Sequence, residues 1–323
     1  MCIRDRHKHI QYTIKNVTLE LSGLSVNSDN IFADVFPSSQ VSDKMIVETY
    51  SMAMTYENIK NAVSMYIYPD WKEENCGPIE DWNTHAVTDM SYIFSNVNDF
   101  NEDISRWDTS NVKNMKSMFK GAEAFNKDIS GWDTSSVTNM SHMFCNAEAF
   151  NQDISKKTID KGDGTSYEAW NTGNVKNMKS MFHNAKAFNN GEMTNNGSKP
   201  LNWNTGNVQT MEGMFAVAVA FNQDVSSGNL NNLKSVSMMF YKAEAFNRKV
   251  GDWITPSLQY DLLMFDFERL GKEIENNNNV VPDWMDTRRW VGKIKKDRNF
   301  AMDPDRMLGR LLLDDAQVYG VVK

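Results

Sequence analysis

Residues 107–130 read WDTSNVKNMKSMFKGAEAFNKDIS, and the same pattern returns along the middle of the chain. The units start at Trp82, Trp107, Trp132, Trp170, Trp203, Gly228 and Trp253. The first three starts are 25 residues apart, and two insertions separate the next ones. A fixed period of this length is typical of a solenoid, in which each unit buries its apolar side chains against its neighbours.

Apolar side chains recur at fixed positions of the unit, counted from the residue at its start. Phe occupies positions +12 and +18 in all six complete units, and Met dominates positions +8 and +11. Such columns predict a core and not a soft-metal site, because a metal needs converging sulfurs with open access. The predicted core includes Trp107, Met115, Phe119, Phe125, Trp132, Met140, Phe144, Phe150, Met178, Phe182, Phe188, Met211, Phe215 and Phe221.

The spacing within one unit suggests its secondary structure. Apolar positions +5, +8, +12 and +15 step by three, four and three residues, which predicts a short amphipathic helix. Thr109 or Ser110 precedes this run as an N-cap. A shorter extended rhythm around Ile104 and Ile129, at position +22, predicts a short strand. The sequence therefore predicts an α/β repeat solenoid whose coils each contribute one short strand and one short helix.

The repeats also define the domain organisation. We expect six repeats and a degenerate seventh over residues 82–271, with insertions at 156–169 and 190–202. Both insertions follow the predicted strand, so both should leave the same edge of the solenoid.

The flanks do not repeat. Residues 10–81 are expected to form an N-terminal cap with two strands around Lys15-Asn16 and a helix, and residues 272–323 a C-terminal flank with a terminal helix from Asp303. Residues 1–9 are expected to be a non-native or disordered start, because Met1–Arg6 resembles translated library adapter. The true N-terminus is then expected to be missing.

Composition excludes several functional classes. The chain has 323 residues, with 42 acidic and 34 basic side chains and a formal net charge of −8, so we expect no nucleic-acid partner. No apolar run is long enough for a transmembrane segment. The 3 cysteines and 5 histidines show no metal or catalytic spacing, so we expect no metal, no cofactor, no catalytic residues and no enzymatic activity.

Residues 107–130 closely resemble the repeat of the BspA-family leucine-rich-repeat surface proteins, which is also found in mycoplasma lipoproteins. The resemblance covers roughly residues 82–265 and involves about ten positions in each of several units. It implies a leucine-rich-repeat-like solenoid with a cell-surface or secreted role in attachment. No signal peptide precedes the repeats in this sequence, which departs from the usual layout of that family.

Two polar columns are the candidate binding residues. They consist of Asp103, Asp128, Asp153 and Asp224 at position +21 and Ser105, Ser130, Ser155 and Ser226 at position +23. Alternation along a strand would place both columns on one face, opposite the isoleucines. Three interpretations stay open for this acidic face: a solvated surface, a partner-binding surface and a calcium site.

Other polar columns have structural interpretations. Asn at position +19 is expected to form a buried ladder that bonds backbone groups of adjacent coils. Thr at position +2 is expected to cap the predicted helix. The segment Asp160–Gly164 resembles a calcium loop, but its ligand spacing is incomplete.

We therefore predict a non-enzymatic, monomeric surface or secreted repeat protein. It would mediate adhesion by binding a protein or glycan through the strand face and the insertion loops. The alternative is a structural scaffold inside a cell or particle, with the solenoid acting as a spacer between the flanks.

Overall fold

A computed structural model of the chain describes residues 10–14, 17–21, 54–66, 78–193, 199–225, 228–248, 250, 253–260 and 264–265. Strands β1 (Ile10–Ile14) and β2 (Val17–Leu21) pair antiparallel and form a hairpin where the alternating sequence predicts one. Helix α1 (Tyr56–Tyr66) and a 3-10 turn (Ile79–Asp81) precede the first repeat. The predicted C-terminal helix and Ser226 lie outside the described residues.

Single parallel β-bridges join position +7 of each repeat to position +7 of the next. The bridged residues are Asp89, Asn114, Asn139, Asn177, Thr210, Ser235 and Tyr260. The register continues across both insertions, because Asn139 bridges Asn177 and Asn177 bridges Thr210. The repeats therefore stack in parallel with equivalent positions side by side, and we call residues 82–265 the repeat stack. Its assignment to the solenoid class stays a prediction.

The predicted helix at positions +5 to +15 is not present in the described repeats. Ser117 and Gly121, at positions +10 and +14, have φ values of 54° and 72°, which a right-handed helix excludes. Backbone N–H groups alternate in direction: Ser117 donates to the Ser141 carbonyl of the next repeat, whereas Met118 donates back to Met115. The three-and-four spacing thus reflects a series of tight turns, which bury the same side chains as a helix would.

The predicted strand at position +22 is also replaced by a turn. The backbone N–H of Trp107 donates to the Ile104 carbonyl, and the same bond joins Trp132 to Ile129. Ile104 and Ile129 are nonetheless fully buried, as the apolar column predicts. Contacts between repeats are made instead by the bridges at position +7 and the alternating N–H groups that follow them.

The core of the repeat stack is a set of aromatic ladders. The rings of Phe119 and Phe144 lie 5.4 Å apart and nearly parallel, and Phe144 continues the ladder to Phe182 at 5.5 Å. Within one repeat, Phe144 stacks on Phe150 at 4.0 Å. Every residue that the sequence assigns to the core is buried, with at most 4% of its surface exposed.

The two insertions meet at their bases. The first forms a hairpin of β3 (Lys157–Asp160) and β4 (Ser166–Ala169), and the second returns to the stack at Pro200 and Leu201. The backbone N–H of Lys156 donates to the Leu201 carbonyl at 3.2 Å. The insertions therefore emerge from the same edge, where the repeat spacing places them.

Candidate functional site

The Asp and Ser of positions +21 and +23 form Asx turns. Oδ1 of Asp103 accepts a hydrogen bond from the backbone N–H of Ser105 at 2.9 Å, and Asp128 does the same for Ser130 at 2.8 Å. Short carboxylate side chains favour this local bond, which holds the chain in a turn and not in a strand. The expectation that both columns lie on one strand face is therefore wrong, because the Asp side chain folds back onto the Ser backbone.

The turn gives these carboxylates a defined position. Directly after Asp103, Ile104 points into the core, and three residues later the ring of Trp107 is buried as well. The chain is thus anchored on the inner side while Asp103 stays exposed at the surface. The same holds for Asp128, which precedes the buried Ile129.

One carboxylate oxygen in each of these turns, Oδ2, takes no part in the turn bond, which uses Oδ1. The Ser105 side chain also bonds to the Asp103 carboxylate, and the charges of Lys127 and Arg106 act on it. Hydrogen bonds from Ser105 lower the pKa of Asp103 below its ordinary value, so this carboxylate is charged at neutral pH. Because rings of adjacent repeats lie 5.4 to 5.9 Å apart, we expect the two carboxylates to recur at a similar interval.

The third member of the columns belongs to a different environment. Asp153 forms the same turn with Ser155 at 3.0 Å, but the second insertion covers this site. The hydroxyl of Ser155 donates to the Pro200 carbonyl at 3.1 Å and accepts from Nδ2 of Asn190 at 2.7 Å. Nζ of Lys199 lies 4.0 Å from Oδ2 of Asp153. Asp153 and Ser155 therefore hold the insertion in place.

The fourth member lies apart from the others. Asp224 is exposed, and it borders a cavity between the last repeats. Its partner in the column, Ser226, is outside the described residues. The structure thus retains only Asp103 with Ser105 and Asp128 with Ser130 as an exposed pair of equivalent turns. We call these four residues the paired acidic turns.

Sequence reasoning missed two further positions at which Asx turns recur along the repeats. At position +1, Oδ1 of Asp108 accepts a hydrogen bond from the backbone N–H of Ser110 at 3.0 Å. The hydroxyl of Ser110 donates to the same oxygen at 2.6 Å. At position +7, Asn114 accepts from the backbone N–H of Lys116 at 3.1 Å. Asp or Asn recurs at both positions in most units, and this recurrence is the signal that could have revealed the turns.

Asp108 makes an additional contact with the preceding repeat. Its Oδ2 lies 2.8 Å from Nδ1 of His85, and both side chains are about half exposed or more. Partial burial tends to raise the pKa of Asp108, but hydrogen bonds from Ser110 and His85 outweigh it and lower the pKa. This second acidic position therefore adds negative charge beside the start of the repeat.

The Thr column at position +2 joins adjacent repeats. Oγ1 of Thr109 donates to the Asp133 carbonyl at 2.9 Å, and Thr134 donates to Asn171 at the same distance. The prediction that Thr109 or Ser110 caps a helix is therefore wrong. Because no helix follows, the Thr hydroxyl instead satisfies a carbonyl of the next repeat.

The Asn column at position +19 forms the predicted ladder, but only part of it is buried: Asn189 and Asn222 are buried, whereas Asn101 and Asn126 are exposed. The backbone N–H of Asn126 donates to Oδ1 of Asn101 at 2.9 Å, and Asn151 donates to Asn126 at the same distance. The ladder continues through Asn189 and Asn222. These bonds fix the backbone just before the paired acidic turns.

Side chains of the types that bind metal ions occur throughout the described part of the chain. No group of three or more His, Cys, Asp or Glu side chains there is arranged to hold a metal ion. In the loop between β3 and β4, Oδ1 of Asp160 accepts from Gly162 and Oδ1 of Asp163 from Thr165. No helix in the described residues is long and apolar enough to cross a membrane.

A known protein family matches most of the chain. The model of a family described as "Mycoplasma protein of unknown function, DUF285" matches residues 58–166 and 157–277. The two matches together include the whole repeat stack and cover more than half of the chain. No curated protein and no solved structure matches the chain significantly.

Proposed function

Since the chain belongs to the DUF285 family of Mycoplasma proteins of unknown function, we propose that it is a non-enzymatic binding protein of the cell surface, similar to BspA-type repeat proteins. Its ligand would be a protein or glycan bound by the outer face of the repeats. Two observations support this proposal: the chain belongs to this family, and residues 107–130 resemble the repeats of surface proteins that mediate attachment.

The observation that carries the proposal is the geometry of the paired acidic turns. Asp103 and Asp128 each use one oxygen to shape the backbone and expose the rest of the carboxylate. Like charges on neighbouring repeats repel each other, and at Asp103 the nearby Lys127 and Arg106 offset part of this repulsion. Solvent or a ligand with cationic groups would compensate the remainder. A ligand that presents cationic or hydrogen-bond donor groups at intervals of 5.4 to 5.9 Å would match the spacing of adjacent repeats.

Rigidity supports binding at this face. Each turn lies between the Asn ladder and a buried isoleucine, so few conformations are left to lose when a ligand binds. Each exposed carboxylate contributes little by itself, because solvent screens its charge. Affinity would therefore arise from several weak contacts made at once along a chain-like ligand.

The test is a binding screen of the purified protein against an array of glycans and extracellular-matrix proteins, with and without millimolar calcium. The decisive variant carries Asp103→Asn and Asp128→Asn. Asn preserves the acceptor oxygen that forms each turn, as at Asn171 and Asn204 in other repeats, but removes the charge. We expect specific binding by the native protein and its loss in the double variant.

Asp153→Asn is the matched control, because Asp153 occupies the same position but supports the insertion. Its binding should equal that of the native protein. Unchanged binding by the double variant would exclude the paired acidic turns as the ligand surface. Absence of any ligand on the array would contradict the surface-binding proposal and favour the scaffold hypothesis.

A further inference from the structure

Gly228 interrupts a regular contact between Trp and Phe. Elsewhere in the stack, the Trp ring at the start of a repeat lies 5.7 to 6.4 Å from the Phe at position +12 of the preceding repeat. The pairs are Phe94 with Trp107, Phe119 with Trp132, Phe144 with Trp170, Phe182 with Trp203 and Phe240 with Trp253. Phe215 occupies position +12 of the repeat that starts at Trp203. The following repeat starts with Gly228 and not with Trp, so Phe215 lacks this Trp partner.

A cavity lies where this ring is missing. The cavity is partly open to solvent, and the approximately 420 Å³ of space between the protein atoms there includes part of that open solvent. Its walls are mainly apolar and include Trp203, Met211, Met214, Phe215, Met239 and Trp253. The cavity thus lies between the Trp residues that start the preceding and the following repeat, and Asp224 is among the residues that line it.

The backbone around Gly228 is adapted to the absence of a side chain. A Cβ atom added at Gly228 would lie 2.3 Å from Oγ1 of Thr205. That hydroxyl donates to the Asn229 carbonyl at 3.0 Å, as Thr does elsewhere at position +2. A side chain on Gly228 would therefore displace a bond between repeats, so the ring cannot be restored from this residue without cost.

The wall of the cavity also holds an unsatisfied polar group. Nε1 of Trp203 donates to the Ile154 carbonyl at 2.9 Å, and the equivalent nitrogens of Trp107 and Trp170 make similar bonds. In the described part of the structure, the buried Nε1 of Trp253 has no such acceptor. A buried donor without an acceptor destabilises the folded protein. An occupant of the cavity that offers an acceptor atom or a π face could accept this N–H after a small local rearrangement.

We propose that this cavity is a binding site for a single planar aromatic ring. The ring would lie against Phe215 between Trp203 and Trp253, and it would replace the side chain that Gly228 lacks. Aromatic pairs at 4.5 to 7 Å stabilise one another beyond simple burial, and the Trp–Phe contacts of the other repeats have this geometry. The inference does not rest on the proposed function, since the site is separate from the paired acidic turns.

Indole is the probe for this site. It is titrated into the full chain while NMR follows the indole N–H signals of the Trp side chains. We expect saturable shifts for Trp203 and Trp253, and none for Trp132, which is buried within the uninterrupted repeats. Absence of saturable shifts, or equal shifts at all Trp side chains, would overturn the proposal.

The variant Val225→Phe is designed to place a ring in the cavity, because half-buried Val225 lines it. Indole should then bind at least tenfold more weakly. Val97→Phe is the matched control: it makes the same substitution at another half-buried valine, in the first repeat and away from the cavity, and should leave indole binding within twofold. Native affinity in a folded Val225→Phe protein would contradict the site.

A second measurement does not depend on any variant. Octahydroindene has the same fused five- and six-membered ring skeleton as indole, with carbon in place of nitrogen, and it is uncharged like indole but neither planar nor aromatic. It should bind the native protein at least tenfold more weakly than indole. Equal affinity for the two compounds would show that the cavity accepts any apolar molecule, and would overturn the aromatic specificity.

Discussion

The uninterrupted repeats, residues 82–155, and the later repeats, residues 170–265, share a backbone pattern but differ in what they expose. In the first region the repeats follow one another without insertions, and Asp103 and Asp128 are exposed at equivalent turns. In the second region Gly228 replaces a Trp, and a cavity opens beside it. The first insertion, residues 156–169, separates the two regions, and the second lies within the later one.

The comparison teaches which positions hold the stack together and which can vary. The bridges at position +7 and the Thr bonds at position +2 continue through both regions, including Thr205 beside the cavity. These contacts involve the backbone of the next repeat, so they tolerate a change of side chain elsewhere. Functional differences can therefore accumulate at the exposed turns and in the Trp column without loss of register.

The largest expected effect compares one Phe in each region. Phe144→Ala removes a ring that contacts Phe119, Phe150, Phe182 and Trp170, and should lower the free energy of unfolding by about 3–5 kcal/mol. Phe215→Ala should cost less, because one side of that ring already borders a cavity. Urea denaturation followed by circular dichroism measures both. Equal losses would contradict a packing difference between the regions.

The next effect concerns acid stability of the repeat that starts at Trp170. Burial, together with nearby His142 and Lys120, lowers the pKa of His183 to about 4, from 6.5 for an ordinary histidine. Below pH 6.5 the unfolded chain binds a proton that the folded chain excludes. Stability is therefore complete above pH 6.5 and should fall by up to about 3 kcal/mol as the pH approaches 4.

Denaturant melts between pH 4 and pH 7 provide the measurement. His183→Asn is the comparison, because Asn cannot titrate in this range. It should weaken the pH dependence even if it lowers stability at pH 7. An unchanged slope in the variant would assign the acid sensitivity to other groups.

Burial and period could be predicted from the sequence, because both depend only on which residues recur. Phe119, Phe144 and Phe215 are buried where their columns place them, and both insertions leave one edge. The Asn ladder from Asn101 to Asn126 follows from the same regularity. For the Phe columns and the Asn ladder, a side chain that recurs at one spacing occupies the same position in every repeat of a stack. Equivalent side chains of adjacent repeats therefore lie next to one another.

The local backbone could not be predicted in the same way. Turns of three and four residues bury the same positions as a short helix, so the spacing cannot distinguish the two. Non-glycine residues with positive φ, such as Ser117 and His142, interrupt a helix in each repeat. Ser and His do not favour positive φ strongly enough for the sequence to predict this conformation. The candidate site changed for a related reason: Asp103 bonds to the backbone two residues later, which an alternating strand does not allow.

A smaller effect tests the bonds between repeats in the two regions. Thr134→Val removes a hydroxyl that donates to the Asn171 carbonyl, and should cost about 1 kcal/mol or somewhat more, because Thr134 is fully buried. Thr205→Val removes the equivalent bond to Asn229, but Thr205 is 8% exposed and borders the open cavity. Water can then replace part of the bond, so the loss in unfolding free energy should be smaller. A larger loss at Thr205 would reverse the comparison.

The smallest effect separates the structural role of an acidic turn from its charge. Asp128→Asn keeps the oxygen that accepts from Ser130, so its unfolding free energy should stay within about 0.5 kcal/mol of the native value. Asp128→Ala loses that bond and should cost about 1 kcal/mol. At Asp153, Asn should also be nearly neutral, because the 4.0 Å contact with half-exposed Lys199 is a weak surface ion pair. If Asp128→Asn lowered the free energy of unfolding as much as Asp128→Ala does, the charge of Asp128, and not its turn bond, would stabilise the fold. The charge would then have a structural role, which would contradict the proposal that it serves a ligand.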